Sequence, residues 1–214
     1  MSKLIYVMDP HCGWCYGNSG NITDLYLEFS DQIDFELMVG GMWVGYNAPK
    51  GGSAFERFIN NHSPQMESAT GAYVSKAFYE LAKDSSYVFS SLEPAAAIVL
   101  IKDLAPEHTF AFAKAVQRSI FAEGKRLDKI ETYQPILREL KIEPEEFEKN
   151  WMSESNISKT QKEINTAKQM ASGFPTLLFQ DKSGTHPLAS GYFNKEKMNH
   201  TISRLLKQKS LSSS

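Results

Sequence analysis

Residues 3–15 read Lys-Leu-Ile-Tyr-Val-Met-Asp-Pro-His-Cys-Gly-Trp-Cys, an apolar run followed almost at once by two cysteines. The apolar part, Lys3–Met8, predicts a buried strand, since it is rich in large aliphatic residues and ends at Asp9-Pro10. Apolar residues at helical spacing follow in Asn21–Phe29, so Cys12 is expected at the amino end of a helix. The segment therefore predicts a strand that leads through a cysteine pair into a helix.

The next segments alternate between strand and helix patterns. Apolar and polar residues alternate over Ile33–Val39 before Gly40-Gly41, which predicts a second strand. A strand, helix, strand order implies a parallel pair joined by a right-handed crossover. From about Ala54 to Ala171 the pattern becomes helical, and its prolines are expected near helix starts. These prolines are Pro64, Pro94, Pro106, Pro135 and Pro144.

Strand character returns near the end of the sequence. Thr176–Gln180 and Thr185–Ala189 predict a hairpin, and an amphipathic helix follows over about Asn194–Lys207. Because the two strand-bearing ends must form one sheet, we predict an α/β fold. In this prediction residues 1–53 and 172–214 form one domain, and residues 54–171 form an all-helical domain inserted into it.

The charge and the apolar content of the sequence argue against some partners and locations. The chain has 214 residues, of which 42% are hydrophobic, and its 23 basic and 25 acidic residues give a net charge of −2. This near-neutral balance offers no basic footprint for nucleic acid or for an anionic membrane, so neither partner is predicted. Residues 1–10 lack the apolar core of an export signal, and no apolar stretch reaches about 18 residues. Reduced cysteines and a cytoplasmic location are therefore expected.

Cys12 and Cys15 are the only cysteines of the chain. Two thiols separated by two residues can close a disulfide, and a helix amino end favours the thiolate form of the first. Cys12 is therefore the predicted attacking nucleophile, and Cys15, one turn further in, is the predicted resolving thiol. The spacing indicates thiol-disulfide exchange, whose direction depends on the redox poise.

Two other interpretations of the pair are less well supported. A structural zinc site needs four ligands, but only His11 is adjacent and the other histidines are scattered, so no metal is predicted. An inert buried pair would suit an apolar helix, whereas Asp9, Pro10, His11 and Gly13 predict an exposed turn.

Residues near the pair supply further candidates. His11 could stabilise the Cys12 thiolate as an imidazolium or could equally face solvent. Trp14 could offer a flat apolar contact to a substrate. No carboxylate lies within Lys3–Met8, and Glu36 in the second strand is expected to be exposed, so the proton acceptor stays unassigned.

Gly173-Phe174-Pro175-Thr176 is the second motif, placed directly before the returning strand. On general frequencies the Phe174-Pro175 bond would be trans, because only about 5–6% of such bonds in folded proteins are cis.

Together, the cysteine motif, this proline motif and the order of elements resemble the thioredoxin superfamily, and more narrowly its DsbA family, over nearly the whole chain. The segment Asp9 to Gly17 is similar to the cytoplasmic FrnE-like branch and to predicted protein disulfide isomerases. The resemblance implies a cis Phe174-Pro175 bond beside the cysteine pair, with the Phe174 backbone pairing with substrate or glutathione. Gly13-Trp14 replaces the residues of the periplasmic oxidant, which has a histidine before its second cysteine, so a periplasmic oxidant role is in doubt.

Three functions follow as hypotheses. The first is a thiol-disulfide oxidoreductase or isomerase that uses Cys12 and Cys15, with Trp14, Phe174 and Pro175 contacting the substrate. It needs no cofactor beyond its own redox-active disulfide, and its partners are protein or small thiols and disulfides, with glutathione as a potential co-substrate. The second is a glutathione-dependent transferase or isomerase of the kappa-class type, although such relatives have a serine or another residue in place of the thiol pair. The third is a redox switch on a binding module. The oligomeric state stays open.

Overall fold

The computed structural model describes residues 2–212, and their side chains as far as residue 207. The chain opens with strand β1 (Lys3–Met8), helix α1 (Gly13–Phe29) and strand β2 (Asp34–Val39). It closes with strands β3 (Thr176–Asp181) and β4 (Gly184–Ser190) and helix α9 (Lys195–Ser212). The two predicted strand-bearing ends are therefore confirmed, with strand bounds within about one residue of those expected.

Seven helices lie between β2 and β3. They are α2 (Ser53–Thr70), α3 (Lys76–Lys83), α4 (Leu92–Leu104), α5 (Thr109–Phe121), α6 (Ile130–Glu139), α7 (Pro144–Asn150) and α8 (Glu154–Met170). Residues 54–171 are all described, and they contain no strand apart from an isolated bridge between Val88 and Lys50. The predicted helical block is therefore confirmed. None of the described helices is long and apolar enough to span a bilayer.

Two of the five prolines do not lie where the sequence suggested. Pro144 opens α7 and Pro94 lies in the first turn of α4, as expected, while Pro106 opens a single 3-10 turn. Pro64 and Pro135, in contrast, lie inside α2 and α6. A proline within a helix removes one hydrogen bond and favours a bend, a cost that packing of the helix face can offset.

The four strands form one sheet in the order β2-β1-β3-β4. β1 pairs in parallel with β2 and antiparallel with β3, and β3 and β4 form the predicted hairpin. β1 is buried along almost its whole length, as its continuous apolar sequence predicts for a central strand.

Each face of the sheet is covered by helices. Leu4, Tyr6 and Met8 join the larger core, which also contains Leu25 of α1, whereas Ile5 and Val7 join a smaller cluster with α8. This alternation follows from the period of two along a strand. Helix α8 packs directly on β2, so the helical block contacts the sheet. The division into one domain of residues 1–53 and 172–214 and an inserted domain of residues 54–171 therefore stays a prediction.

Helices α1 and α2 approach closely at one glycine. A Cβ atom at Gly17 would lie 2.6 Å from both γ atoms of Thr70, whereas one at Gly20, a turn further along α1, would meet nothing within 4 Å. The Thr70 hydroxyl is held in place because it donates to the Met66 carbonyl oxygen and accepts from the Ala72 N–H. Gly17 therefore permits this helix contact.

We expect Gly17→Ala to lower the free energy of unfolding by about 1–3 kcal/mol, because the added methyl group overpacks this contact. Gly20→Ala is the matched control and should raise it by about 0.5–1 kcal/mol through helix propensity alone. Urea unfolding of both variants checks this. Equal effects of the two changes would show that Gly17 is not a packing position.

Candidate active site

The cysteine pair lies at the amino end of α1, shortly after β1 ends. Cys12 is the N-cap residue of α1, and its Sγ accepts a hydrogen bond from the Cys15 N–H over 3.4 Å. An N-cap acceptor satisfies one of the free N–H groups at a helix start, and the helix dipole favours negative charge there. Both cysteines are free thiols. The predicted placement of Cys12 at the amino end of a helix is thus confirmed.

The two thiols differ in their surroundings. Cys12 is 6% exposed and Cys15 is fully buried, so Cys12 is the more accessible cysteine, as expected. Burial raises the pKa of Cys15 well above its ordinary value, and the neighbouring Cys12 adds to this effect. Cys15 therefore stays a protonated thiol at neutral pH, while Cys12 occupies the position that favours a thiolate.

The prediction that the turn before Cys12 is exposed is wrong. Asp9, Pro10 and His11 are all buried. The covering residues come from distant parts of the chain, since Trp43 and Phe89 both pack against the His11 ring. Turn-forming residues indicate a change of chain direction, but they do not reveal that other segments fold over it.

Asp9 was not predicted as a site residue, because it lies just beyond the apolar run Lys3–Met8 and was assigned to the turn that follows it. Its carboxylate accepts hydrogen bonds from the His11 N–H (2.9 Å), the Met42 N–H (2.6 Å) and the Ser91 hydroxyl (3.0 Å). Burial raises the pKa of Asp9, although these hydrogen bonds oppose the shift. Asp9 acts on the pKa of Cys15 in two opposite ways, since its backbone lowers that pKa by hydrogen bonding and its charge raises it by a smaller amount. A polar residue directly after a buried strand was the available signal.

Glu36, the acidic residue considered from the sequence, lies elsewhere. It is partly exposed, pairs with Lys3, and stands opposite Ile5, away from the carboxyl end of β1 where the cysteines lie. Among the described residues, no group of three or more His, Cys, Asp or Glu side chains is arranged to hold a metal ion.

His11 neither faces solvent nor stabilises the Cys12 thiolate as an imidazolium, the two roles expected from the sequence. The side chain is only 4% exposed, so it does not face solvent. Burial lowers its pKa to about 3, so the ring is uncharged at neutral pH and supplies no positive charge to Cys12. Its Nε2 lies 3.2 Å from the Tyr87 hydroxyl. The structure makes His11 a neutral polar group in an aromatic environment.

The proline motif, Gly173-Phe174-Pro175-Thr176, contacts the cysteine motif at the sulfur of Cys12. The Phe174-Pro175 peptide bond is cis, as the resemblance implied. The Cys12 thiol donates a hydrogen bond to the Phe174 carbonyl oxygen over 3.5 Å, although the two residues are far apart in sequence. β3 begins at Thr176, whose hydroxyl donates to the Gly173 carbonyl oxygen. The sheet therefore brings Cys12 against Phe174, the residue directly before Pro175.

Trp14 lies beside a cavity next to Cys12, and Phe174 does not line this cavity. It is half-buried and lines a cavity of about 140 Å³ that Cys12 also lines. Residues of α2 form much of the remaining wall, including Ile59 and Met66. The cavity gives Trp14 a position from which it can contact a molecule bound at Cys12.

The ring of Phe174 occupies the space that a side chain at residue 40 would need. A Cβ atom at Gly40 would lie 2.1 Å from two ring carbons of Phe174. We expect Gly40→Ala to displace this ring and to lower the free energy of unfolding by about 1–3 kcal/mol. Gly173→Ala, where a Cβ would meet nothing within 4 Å, is the matched control and should not destabilise the protein. Urea unfolding distinguishes the two, and an unchanged Gly40→Ala protein would contradict the packing argument.

The buried His11 should also make stability depend on pH. Its pKa of about 3 in the folded protein lies below the value of about 6.5 expected when unfolded, so the unfolded state binds more protons between these values. Stability contributed by neutral His11 is therefore present above pH 6.5 and is lost as the pH falls. Between pH 6.5 and 4 this loss should be about 3 kcal/mol.

Urea unfolding at several pH values measures this loss against His11→Gln, in which it should be absent. His200→Gln is the control, because His200 is exposed on α9. If the control flattened the pH dependence as much as His11→Gln did, buried His11 would not be its cause.

Comparisons with known proteins agree with this geometry. A family model described as Thioredoxin matches residues 6–196. No curated protein sequence is similar enough to count as a match. A candidate protein disulfide isomerase from Nitrosomonas europaea has a similar structure, with a TM-score of 0.84 and 21% identity over 97% of this chain and 98% of that one. The cytosolic disulfide reductase DsbM from Pseudomonas aeruginosa gives a TM-score of 0.82 and 23% identity over 96% and 99%.

A 2-hydroxychromene-2-carboxylate isomerase shares the architecture more distantly, with a TM-score of 0.64 and 12% identity over 99% of each chain. The family match covers most of the chain and the strand order and helical insertion agree with it. The chain therefore belongs to the thioredoxin family, and its fold is the DsbA-like form in which a helical block separates β2 from β3.

Proposed function

We propose that the protein is a thiol-disulfide oxidoreductase or isomerase in which Cys12 attacks a substrate disulfide and Cys15 resolves the product. The observation that carries this proposal is the position of the Cys12 sulfur, which lies between the Cys15 N–H and the Phe174 carbonyl oxygen. A sulfur at a helix amino end is suited to nucleophilic attack. The buried neighbour one turn away is suited to act only after a partner has been attached.

The exchange proceeds in two steps. The Cys12 thiolate forms a bond to one sulfur of the substrate, the substrate S–S bond breaks, and the other sulfur leaves as a thiolate. Cys15 then loses its proton and attacks the Cys12 sulfur, which releases the second substrate thiol and closes the Cys12–Cys15 disulfide. The substrate is reduced by two electrons and the protein is oxidised by two. The reverse sequence oxidises a dithiol, and the redox poise decides the direction.

The same geometry supports a place for the substrate. The backbone around Phe174 and Pro175 directly precedes β3 and contacts the Cys12 sulfur, so an extended substrate chain could pair with it as a short strand. Glutathione is a second occupant in this proposal, and the solved DsbM structure with GSH, at 24% identity and a TM-score of 0.77, supports it. The redox-active cysteines are the only redox group that the proposed reaction needs.

We also propose a cytoplasmic location. The similar DsbM protein is named as cytosolic. The sequence prediction of reduced cysteines is consistent with that compartment.

A glutathione-dependent transferase or isomerase is the second candidate function. The cavity beside Cys12 and the shared architecture with 2-hydroxychromene-2-carboxylate isomerase favour it. In that case Cys12 would only hold or activate a glutathione thiol and Cys15 would be dispensable. Conjugation or isomerisation that survives Cys15→Ser, without disulfide exchange, would support this candidate over the first. A redox switch would instead show a change in partner affinity on oxidation and negligible turnover.

Two single substitutions test the oxidoreductase. Cys12→Ser should lower dithiothreitol-driven reduction of insulin by at least about a hundredfold, because the attacking sulfur is lost. Cys15→Ser should still react once with a disulfide but should accumulate the mixed disulfide at Cys12, which mass spectrometry of the intact protein detects. The two variants must differ in this way. A Cys12→Ser protein that reduces insulin at the wild-type rate would rule out the proposed mechanism.

A further inference from the structure

The cavity beside Cys12 lies between the amino end of α1, the loop after β2 and helix α2. Its wall is largely apolar and includes Cys12, Trp14, Trp43, Phe58, Ile59 and Met66. Phe174 and Pro175 are not part of this wall, so the cavity is separate from the backbone contact on which the proposed function depends. A molecule attached to the Cys12 sulfur could therefore touch two different surfaces of the protein.

The size of the cavity limits what it can hold. Its volume is about 140 Å³, close to that of an engineered apolar cavity of about 150 Å³ that binds benzene. A single aromatic ring fits such a space, whereas a whole tripeptide does not. An aromatic wall also suits a ring, since edge-to-face contacts with aromatic rings add to the gain from burial. Trp43 and Phe58 supply such a wall, and their ring centres lie 6.3 Å apart.

His11, His62 and Ser63 also line the cavity. The Nδ1 atom of His11 is buried and is not accessible from the cavity, and Nε2 lies 3.2 Å from the Tyr87 hydroxyl. His11 therefore offers no hydrogen bond to a bound group, and apolar contact is the basis for binding there.

We propose that the cavity binds an aromatic group carried close to the reacting sulfur of the substrate. The inference rests on the proposed function, because it names the class of disulfide that Cys12 attacks. Two sources present this chemistry. One is a Phe or Tyr side chain next to the cysteine of a polypeptide, and the other is a small aromatic thiol.

The first experiment measures how fast the reduced protein reacts with paired disulfide probes. One arm compares mixed disulfides of glutathione with benzyl mercaptan and with 2-mercaptoethanol. In the expected step Cys12 bonds to the sulfur that carries the ring, the S–S bond breaks, and glutathione leaves as a thiolate. The benzyl probe should react at least about tenfold faster than the hydroxyethyl probe, because only its ring is buried.

The second arm uses disulfide-linked dimers of Phe-Cys, Tyr-Cys and Gly-Cys peptides. Phe-Cys should react at least about tenfold faster than Gly-Cys. Tyr-Cys should share this advantage over Gly-Cys, because its ring is buried in the same way. A preference for aromatic probes in only one arm would support the cavity and identify the source of its ligand.

A variant that fills the cavity tests its role directly. Ser63 lies on α2, is buried and lines the cavity, so Ser63→Leu should bring the benzyl-to-hydroxyethyl rate ratio close to one. Ser68→Leu is the matched control, because Ser68 lies exposed on the same helix, and it should retain the wild-type ratio. If Ser63→Leu does not fold, Phe58→Ala replaces it, since Phe58 is 42% exposed and its loss should also lower the ratio.

The outcomes separate the two proposals. Exchange at equal rates with aromatic and non-aromatic probes would overturn the cavity inference and leave the oxidoreductase intact. The same is true of an aromatic preference that neither Ser63→Leu nor Phe58→Ala reduces. Failure to react with any of the disulfides would overturn the proposed function itself.

Discussion

The buried carboxyl group of Asp9 is the constraint on which the site depends. Its hydrogen bonds reach the turn before Cys12, the loop after β2 and the start of α4, so three separate segments meet at one side chain. A buried carboxylate is tolerated only when its oxygens are satisfied, and this requirement fixes the three donors in space. The position of Cys12 therefore depends on hydrogen bonds made by Asp9, which lies four residues before the start of α1.

Burial of the turn gives the two cysteines different environments within a single helical turn. Cys12 keeps a small exposed fraction and lies at the free N–H groups of α1, whereas Cys15 lies wholly in the core. Burial disfavours the charged form of Cys15 and raises its pKa, so this thiol keeps its proton at neutral pH. The helical block contributes to this asymmetry, because its residues cover the turn and line the cavity next to it.

Much of the fold was predictable because its patterns are local. The strands follow from apolar runs and alternation, and the helices follow from their spacing, so the order of elements was correct. The cis bond at Pro175 was different, since general frequencies favour trans and only the resemblance implied it. Asp9 was overlooked, and the turn around it was wrongly expected to be exposed, because burial depends on segments far away in the sequence.

The sequence by itself determined the α/β order of elements, the spacing of Cys12 and Cys15, and the position of Cys12 at the start of a helix, since each depends on neighbouring residues. Only the tertiary structure decided what surrounds that sulfur. It places the Phe174 carbonyl against Cys12, makes His11 neutral, and leaves a ring-sized cavity beside α2. These features arise where distant segments meet, and hydrogen-bond satisfaction and close packing there cannot be deduced from local patterns.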